Sequence, residues 1–148
     1  MKIGIIREGK VPVDKRVPFT PAQAAEIKQK FPSIEVIAQS SAIRCFADDE
    51  YRAEGIEVRE NVDDCDVLMG VKEVPIKDLI ANKTYFVFSH TIKKQAYNRG
   101  LLQNILAKNI RLIDYETLTD TSGNRVVAFG RWAGIVGAYN GLWTYGQR

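Results

Sequence analysis

The chain has 148 residues, of which 45% are hydrophobic and 26% charged, a composition typical of one soluble globular domain. Its formal net charge of +3 comes from 21 basic and 18 acidic residues that are interspersed, which gives no support to nucleic-acid binding. No apolar segment has the length of a membrane helix, so we expect a cytoplasmic protein with neither nucleic-acid nor membrane partners.

Short apolar runs alternate with amphipathic stretches, which predicts strand-helix units and a mostly parallel sheet. Five strands are predicted, over residues 2–6, 34–38, 67–71, 84–88 and 110–114. The first helix begins after Thr20, because Thr20, Pro21 and Gln23 fit an N-cap, a first-turn proline and the glutamine of a capping box. This helix is expected to end near Lys30.

A second helix is predicted over residues 95–108, and its apolar face should pack on the sheet. The predicted fold is therefore α/β in three layers, with helices on both faces of the sheet. Residues 119–124 are turn-forming, and the apolar run 126–129 predicts a strand after this hairpin. Residues 131–148 are unusually apolar, which predicts a surface that packs on a following domain or on a second copy of the chain.

The two cysteines, Cys45 and Cys65, lack the close spacing of a zinc or redox pair. Reduced thiols are the favoured interpretation, with a single disulfide as the alternative. No metal site is predicted. The dinucleotide fingerprint G-x-G-x-x-G is also absent, since Gly134, Gly137 and Gly141 have helical rather than turn spacing. The fold is expected to be Rossmann-like without that fingerprint.

Two proton-exchanging side chains follow apolar runs. His90, the only histidine, comes after the run 85–88, and Lys72 comes directly after the run 67–71. Runs without polar alternation are typical of parallel strands covered on both faces, and open parallel sheets bind ligands outside the carboxyl ends of their strands. We therefore predict that Lys72 and His90 share one functional edge of the sheet.

Five segments carry a family resemblance: RVPFTPAQ (16–23), VLMGVKE (67–73), FSHTIKKQ (88–95), IRLIDYE (110–116) and RVVAFGRWAGIVGAYN (125–140). Together they resemble the N-terminal domain shared by alanine dehydrogenase, the transhydrogenase alpha subunit and the saccharopine dehydrogenases, over nearly the whole chain. The FSHTIK and VVAFGRWAG runs are most similar to saccharopine dehydrogenases, including the lysine-ketoglutarate reductase part of the bifunctional lysine-degradation enzyme.

The resemblance implies an NAD- or NADP-dependent oxidoreductase that reversibly oxidises a secondary amine, joining or separating lysine and 2-oxoglutarate through an imine. Its six implied site residues are Lys72 and His90 as the acid-base pair, and Arg16, Gln95, Glu73 and Glu116 as substrate-binding positions. Residues 1–148 are then the substrate-side N-terminal domain of a longer enzyme. This domain is expected to be inactive alone, with the nicotinamide bound mainly by a second domain.

The residue types suit this chemistry, because histidine and lysine exchange protons with nitrogen and oxygen, and the guanidinium of Arg16 can bind a carboxylate through two donors. Structural alternatives are a solvated strand end for Lys72, a helix start for Gln95 and a hairpin surface for Glu116. Two other functions stay open. One is an alanine dehydrogenase-type domain with a smaller substrate, and the other is a non-catalytic module that binds a ligand or partner.

Overall fold

The computed structural model describes residues 1–147 and contains one six-stranded parallel sheet. Its strands are β1 (Lys2–Ile5), β2 (Glu35–Gln39), β3 (Glu57–Arg59), β4 (Val67–Lys72), β5 (Thr84–Phe88) and β6 (Arg111–Asp114). The helices are α1 (Pro21–Lys30), α2 (Asp48–Ala53), α3 (Arg99–Ala107) and α4 (Gly130–Gly146). The strand order β3-β2-β1-β4-β5-β6 is that of a Rossmann-like sheet, which confirms the predicted fold class.

Helices cover both faces of the sheet, as predicted for three layers. Ala24 of α1 and Tyr51 of α2 are buried in one apolar cluster, and Leu101 of α3 is buried in the other. Strand β2 contributes to both clusters, because successive side chains of a strand point to opposite faces. Val36 and Ala38 therefore belong to the first cluster, while Ile37 belongs to the second.

Helix α1 begins where the capping signals place it. The Thr20 hydroxyl accepts the Gln23 amide at 3.3 Å, and the Gln23 side-chain oxygen accepts the Thr20 amide at 3.0 Å. Two N–H groups that a helix start leaves without intrahelical partners are thereby satisfied. The reciprocal bonds confirm the predicted boundary at Pro21.

Two short elements were not predicted, and two local predictions need correction. Strand β3 and helix α2 were not predicted, because each is short and shows no repeated apolar pattern. Helix α3 begins at Arg99 rather than at residue 95, since residues 91–98 form two 3-10 turns separated by Lys94 with φ of 52°. Residues 126–129 form no strand, because the local pairing in this region is a single bridge between Thr119 and Arg125.

The chain divides into two compact units. The first, Met1–Tyr115, contains the sheet with α1, α2 and α3, and the second begins at Glu116 and contains α4. The apolar side chains of α4 are exposed, including Trp132 and Leu142. None of the helices within residues 1–147 is long and apolar enough to cross a membrane.

Both cysteines are free thiols, so the disulfide alternative is not what the structure shows. Cys45 is exposed, whereas Cys65 is buried in the cluster beneath α3. Burial raises the pKa of the Cys65 thiol, which makes it a packing residue of low reactivity. Residues 1–147 contain no group of three or more His, Cys, Asp or Glu side chains arranged to hold a metal ion.

Candidate active site

Lys72 and His90 lie at the same edge of the sheet. Lys72 is the last residue of β4 and is paired in register with Phe88, the last residue of β5. His90 follows Phe88 by two residues. Since β4 and β5 are parallel neighbours, both side chains start from the carboxyl end of adjacent strands.

His90 is held in an unusual backbone conformation. Its φ of 57° and ψ of 10° lie in the left-handed region, which costs a non-glycine residue roughly 1–2 kcal/mol. The surrounding structure stabilises this turn, because the His90 carbonyl accepts the Lys93 amide at 3.1 Å and the side-chain amide of buried Asn98 at 3.2 Å. The imidazole stacks on Phe88, with ring centroids 6.5 Å apart. Backbone strain of this kind is concentrated at functional positions.

The imidazole of His90 has a charged neighbour. The Lys93 ammonium lies 3.3 Å from Nδ1 of His90. An ammonium only donates hydrogen bonds, so Nδ1 is the acceptor in this contact.

A buried carboxylate anchors the residues around His90. Asp114, the last residue of β6, accepts the Ser89 hydroxyl at 2.5 Å and the Ser89 amide at 3.2 Å. The same hydroxyl accepts the Thr91 amide at 3.2 Å. Ser89 is fully buried and Asp114 is 6% exposed. Sequence reasoning did not single out either residue, although each is a polar residue at the end of an apolar strand.

Lys72 belongs to a charged cluster with the loop that follows β1. Arg16 donates to the Asp14 carboxylate through Nε at 3.0 Å and through Nη2 at 2.6 Å. These hydrogen bonds hold the pKa of Asp14 below its ordinary value, and the positive charge of Lys72 lowers it further. The Lys72 ammonium is therefore close enough to act on the Asp14–Arg16 pair. Asp14 orients the guanidinium of Arg16, for which the family resemblance implies substrate binding.

Glu8 contacts the backbone of β4 directly. Its Oε1 accepts the Val71 amide at 2.6 Å, and its Oε2 accepts the Lys72 amide at 2.9 Å. Burial raises the pKa of Glu8, and the two backbone hydrogen bonds oppose this shift. Sequence reasoning missed Glu8, which lies three residues beyond the end of β1.

The three remaining predicted site residues, Glu73, Gln95 and Glu116, have other partners in the structure. Glu73, directly after Lys72, forms an ion pair with Lys10, and its Oε2 is buried without a hydrogen-bond partner. Gln95 is exposed, and its carbonyl closes the following 3-10 turn, as its structural alternative proposed. Glu116 belongs to the second unit, where it lies 3.8 Å from the guanidinium of Arg125. The substrate-binding roles of these three residues stay predictions.

A cleft of about 520 Å³ opens beside β1, at the same end of the sheet. It is lined by Glu8, by Gln39 at the end of β2 and by residues that follow β3 and β4, but Lys72 and His90 are not among its lining residues. Two of its lining residues are paired with Arg7: the Arg7 guanidinium bonds Glu60 at 2.6 Å, and the Arg7 amide donates to the Gln39 side chain at 3.1 Å. The cleft is therefore separate from the strand ends that carry Lys72 and His90.

The crossover from β1 to α1 does not fit a dinucleotide. A phosphate cradle there needs several glycines that let the backbone approach the pyrophosphate. Residues 6–20 contain one glycine, Gly9, and an added Cβ at that position would lie 3.0 Å from Pro75. The glycine therefore serves packing between two loops, and this crossover lacks the glycines of a pyrophosphate cradle.

The first unit is a Rossmann-like α/β domain with charged residues at the carboxyl ends of its strands, which is where open parallel sheets bind ligands. Comparison with known proteins identifies the family. The chain matches the family described as alanine dehydrogenase/PNT, N-terminal domain, over residues 4–136 and belongs to it. The family resemblance in the sequence is thereby confirmed.

Similar proteins include the mitochondrial alpha-aminoadipic semialdehyde synthase of Bos taurus, 42% identical over 91% of this chain, and the NAD(+), L-lysine-forming saccharopine dehydrogenase of Yarrowia lipolytica, 30% identical over 90%. The chain spans 14% of the first protein and 37% of the second. A solved L-alanine dehydrogenase superposes on 84% of the chain with a TM-score of 0.67 at 20% identity, and the chain covers 35% of it. At that identity the likeness shows the fold alone.

Proposed function

We propose that this chain is the substrate-side domain of a nicotinamide-dependent amino-acid dehydrogenase of the saccharopine dehydrogenase type, with Lys72 and His90 as its acid-base pair. The observation that carries the proposal is the pairing of Lys72 with Phe88 in register, with the Phe88 ring stacked on His90. This arrangement supports one ligand lying within reach of both groups. The two sequence relatives support the substrate class, because one is named for saccharopine.

The proposed chemistry in this domain is proton transfer during hydrolysis or formation of an imine. In hydrolysis, water adds across the C=N bond, so that the carbon gains a hydroxyl and the nitrogen gains a proton. The hydroxyl proton then moves to the nitrogen, the C–N bond breaks, and a 2-oxo acid and a primary amine are released. Lys72 and His90 give and take these protons, a role that accelerates such steps by roughly 10²–10⁴-fold.

Arg16 is proposed to bind a substrate carboxylate. A planar guanidinium matches a carboxylate with two parallel hydrogen bonds, and the contact to Asp14 fixes its orientation in advance. Gln95, Glu73 and Glu116 are proposed as further substrate-binding positions, on the family resemblance alone.

The amine oxidation itself needs NAD or NADP, which the proposal assigns to a second domain. The support is that the β1–α1 crossover lacks the glycines of a pyrophosphate cradle and that the chain spans only a part of each relative. The proposal therefore includes that residues 1–148 are inactive alone.

Binding to the isolated chain gives a direct test. Saccharopine, 2-oxoglutarate and L-alanine are each titrated into ¹⁵N-labelled protein, and amide shifts are followed by NMR. We expect saccharopine to perturb the amides of Lys72, Glu73 and His90, and Lys72→Ala or His90→Ala to weaken its binding. Lys77→Ala, an exposed lysine after the same strand, is the matched control. Stronger and similarly placed shifts with L-alanine would favour the alanine dehydrogenase-type alternative.

Turnover is tested in the complete dehydrogenase that contains this domain. Lys72→Ala and His90→Ala should each lower kcat by roughly 10²–10⁴-fold. Unchanged turnover in both variants would instead identify a non-catalytic module. Reduction of a nicotinamide by the 148-residue chain alone, dependent on the amine substrate, would refute the assignment of the cofactor to a second domain.

A further inference from the structure

We propose that Glu8 is a positioning residue for Lys72: its carboxylate takes the place of the ended strand β1 and fixes the backbone from which the lysine side chain projects. The inference rests on the proposed function of Lys72. It starts from a feature of β4 that the catalytic proposal does not use.

The end of β4 carries two amides that β1 no longer reaches. The β1 ladder stops where the Ile6 amide donates to the Met69 carbonyl at 2.9 Å. Beyond that point the pairing of β4 with its other neighbour, β5, shifts register between Met69 and Lys72. In a regular strand, successive N–H groups point to opposite sides, but here both the Val71 and the Lys72 amides donate to Glu8.

Two successive N–H groups that point the same way form a small concave site for an anion. The Glu8 carboxylate occupies this site with one oxygen on each amide, at 2.6 and 2.9 Å. Hydrogen bonds to an ionised acceptor are about twice as strong as neutral ones. The clamp therefore fixes the backbone of Val71 and Lys72 more firmly than a continued strand would.

Glycine at position 70 makes room for this carboxylate. A Cβ on Gly70 would lie 3.1 Å from Oε1 of Glu8 and 3.0 Å from Cγ1 of Ile6. Gly70, which belongs to β4, is itself buried. Gly70 and Glu8 therefore act together, since the Glu8 carboxylate reaches the two amides only because β4 carries no side chain at position 70.

The surroundings of Glu8 disfavour its ionised form. Burial raises the pKa of Glu8, and Asp14 raises it further, while the amides and Arg16 lower it. Burial also raises the pKa of the Tyr115 phenol, and the charge of Glu8 adds to that shift. A group that served packing alone would be better replaced by a neutral side chain, because burying a carboxylate destabilises the fold.

The first measurement needs only the wild-type chain. The Glu8 carboxyl and the amide protons of Val71 and Lys72 are followed by NMR as the pH is lowered. We expect both amide signals to titrate together with Glu8, at a midpoint above 4.5. Amides that do not respond to the ionisation of Glu8 would overturn the inference, whether or not saccharopine binds to the chain.

The second measurement uses variants of the complete dehydrogenase. Glu8→Gln should lower kcat by roughly ten- to a hundredfold with KM changed less than about twofold, because small misplacements of a reacting group have effects of that size. Glu8→Asp, which keeps the charge, should recover part of the loss. Glu54→Gln, an exposed glutamate on the same unit, is the matched control and should leave kcat unchanged. Full kcat in folded Glu8→Gln would overturn the positioning role.

If Glu8→Gln fails to fold, Gly70→Ala replaces it, since that change displaces the carboxylate without removing its charge. We expect shifted Val71 and Lys72 amide signals and a lower kcat, and unchanged values of both would overturn the inference. Failure of the proposed function is recognised separately. In that case the two amides titrate with Glu8, while Lys72→Ala leaves turnover of the complete enzyme intact.

Discussion

The close approach of Glu8 to β4 predicts the outcome of replacing Gly70 with alanine. The new Cβ would meet Ile6 at 3.0 Å and Glu8 at 3.1 Å, both tighter than ordinary van der Waals contact. Overpacking of this kind costs about 1–3 kcal/mol. Alanine also restricts the backbone of the unfolded chain, which stabilises the folded state by about 0.4–1 kcal/mol. This gain applies at position 70 because Gly70 does not have a positive φ, so alanine can adopt its backbone conformation. We expect a net loss of about 1–2 kcal/mol, which lowers the melting temperature by roughly 3–6 °C.

Urea unfolding followed by far-UV circular dichroism measures this effect. Tryptophan fluorescence does not suit it, since both tryptophans, Trp132 and Trp143, lie in α4 of the second unit. Gly100→Ala is the matched control. Its Cβ would lie 3.6 Å from Ile76, an ordinary contact, and alanine stabilises a helix over glycine by about 0.5–1 kcal/mol. If Gly70→Ala stabilised the chain as much as Gly100→Ala does, the tight packing of Glu8 against β4 would be refuted.

Three further predictions concern other parts of the chain. Asp14→Asn should destabilise the chain by less than about 1 kcal/mol at neutral pH, because Arg16 is half exposed. Since the pKa of Asp14 is lowered on folding, its contribution is present above the ordinary value of 3.8 and is lost as the pH falls through the lowered value. An undiminished stability difference at pH 2 would contradict this origin. Burial raises the pKa of Tyr51 from 10.0 to about 12, so the folded state holds the phenol proton more tightly. Tyr51 should therefore contribute a fall in stability of up to about 3 kcal/mol between pH 10 and pH 12, and Tyr51→Phe should reduce the total fall by that amount in alkaline urea unfolding. The exposed apolar side chains of α4 should cause self-association. Replacing Leu142 and Trp143 with serine should therefore abolish any concentration-dependent dimer seen by analytical ultracentrifugation. A dimer that persists in this variant would place the interface elsewhere.

The strong periodic signals of the sequence were sufficient for most of the first unit. Continuous apolar runs located five strands, and the Thr20 capping box located α1. Helix α2 was missed because six residues with one buried side chain, Tyr51, carry no helical repeat. Its start is stabilised instead by charge, since the Glu50 carboxylate accepts the Ala47 amide at 2.6 Å. The apolar run 126–129 was misread because a strand needs a partner strand, and composition does not show whether one is present.

For the candidate site, the sequence was informative where the position of a residue follows from strand order alone. The placement of Lys72 and His90 at one edge could be predicted because each follows a buried strand, and parallel strands present their carboxyl ends at one edge. Asp114 follows the same rule on β6, and it was overlooked because its carboxylate supports the His90 turn from beneath instead of facing a ligand. A rule based on strand ends does not separate a residue that supports a turn from one that faces solvent at the same edge.

Predicting the contact between Glu8 and β4 would have required two sequence signals whose connection is visible only in the strand order. An isolated glycine inside a strand pattern, such as Gly70, indicates a bulge or a close approach of another group. A glutamate three residues after β1 is also visible in the sequence. Nothing in either segment says that they meet, because β1 and β4 are separated by two intervening strands along the chain yet are neighbours in the sheet. The crossover that returns the chain to the other side of β1 brings the carboxylate to the two amides, so the clamp on Lys72 is a consequence of strand order.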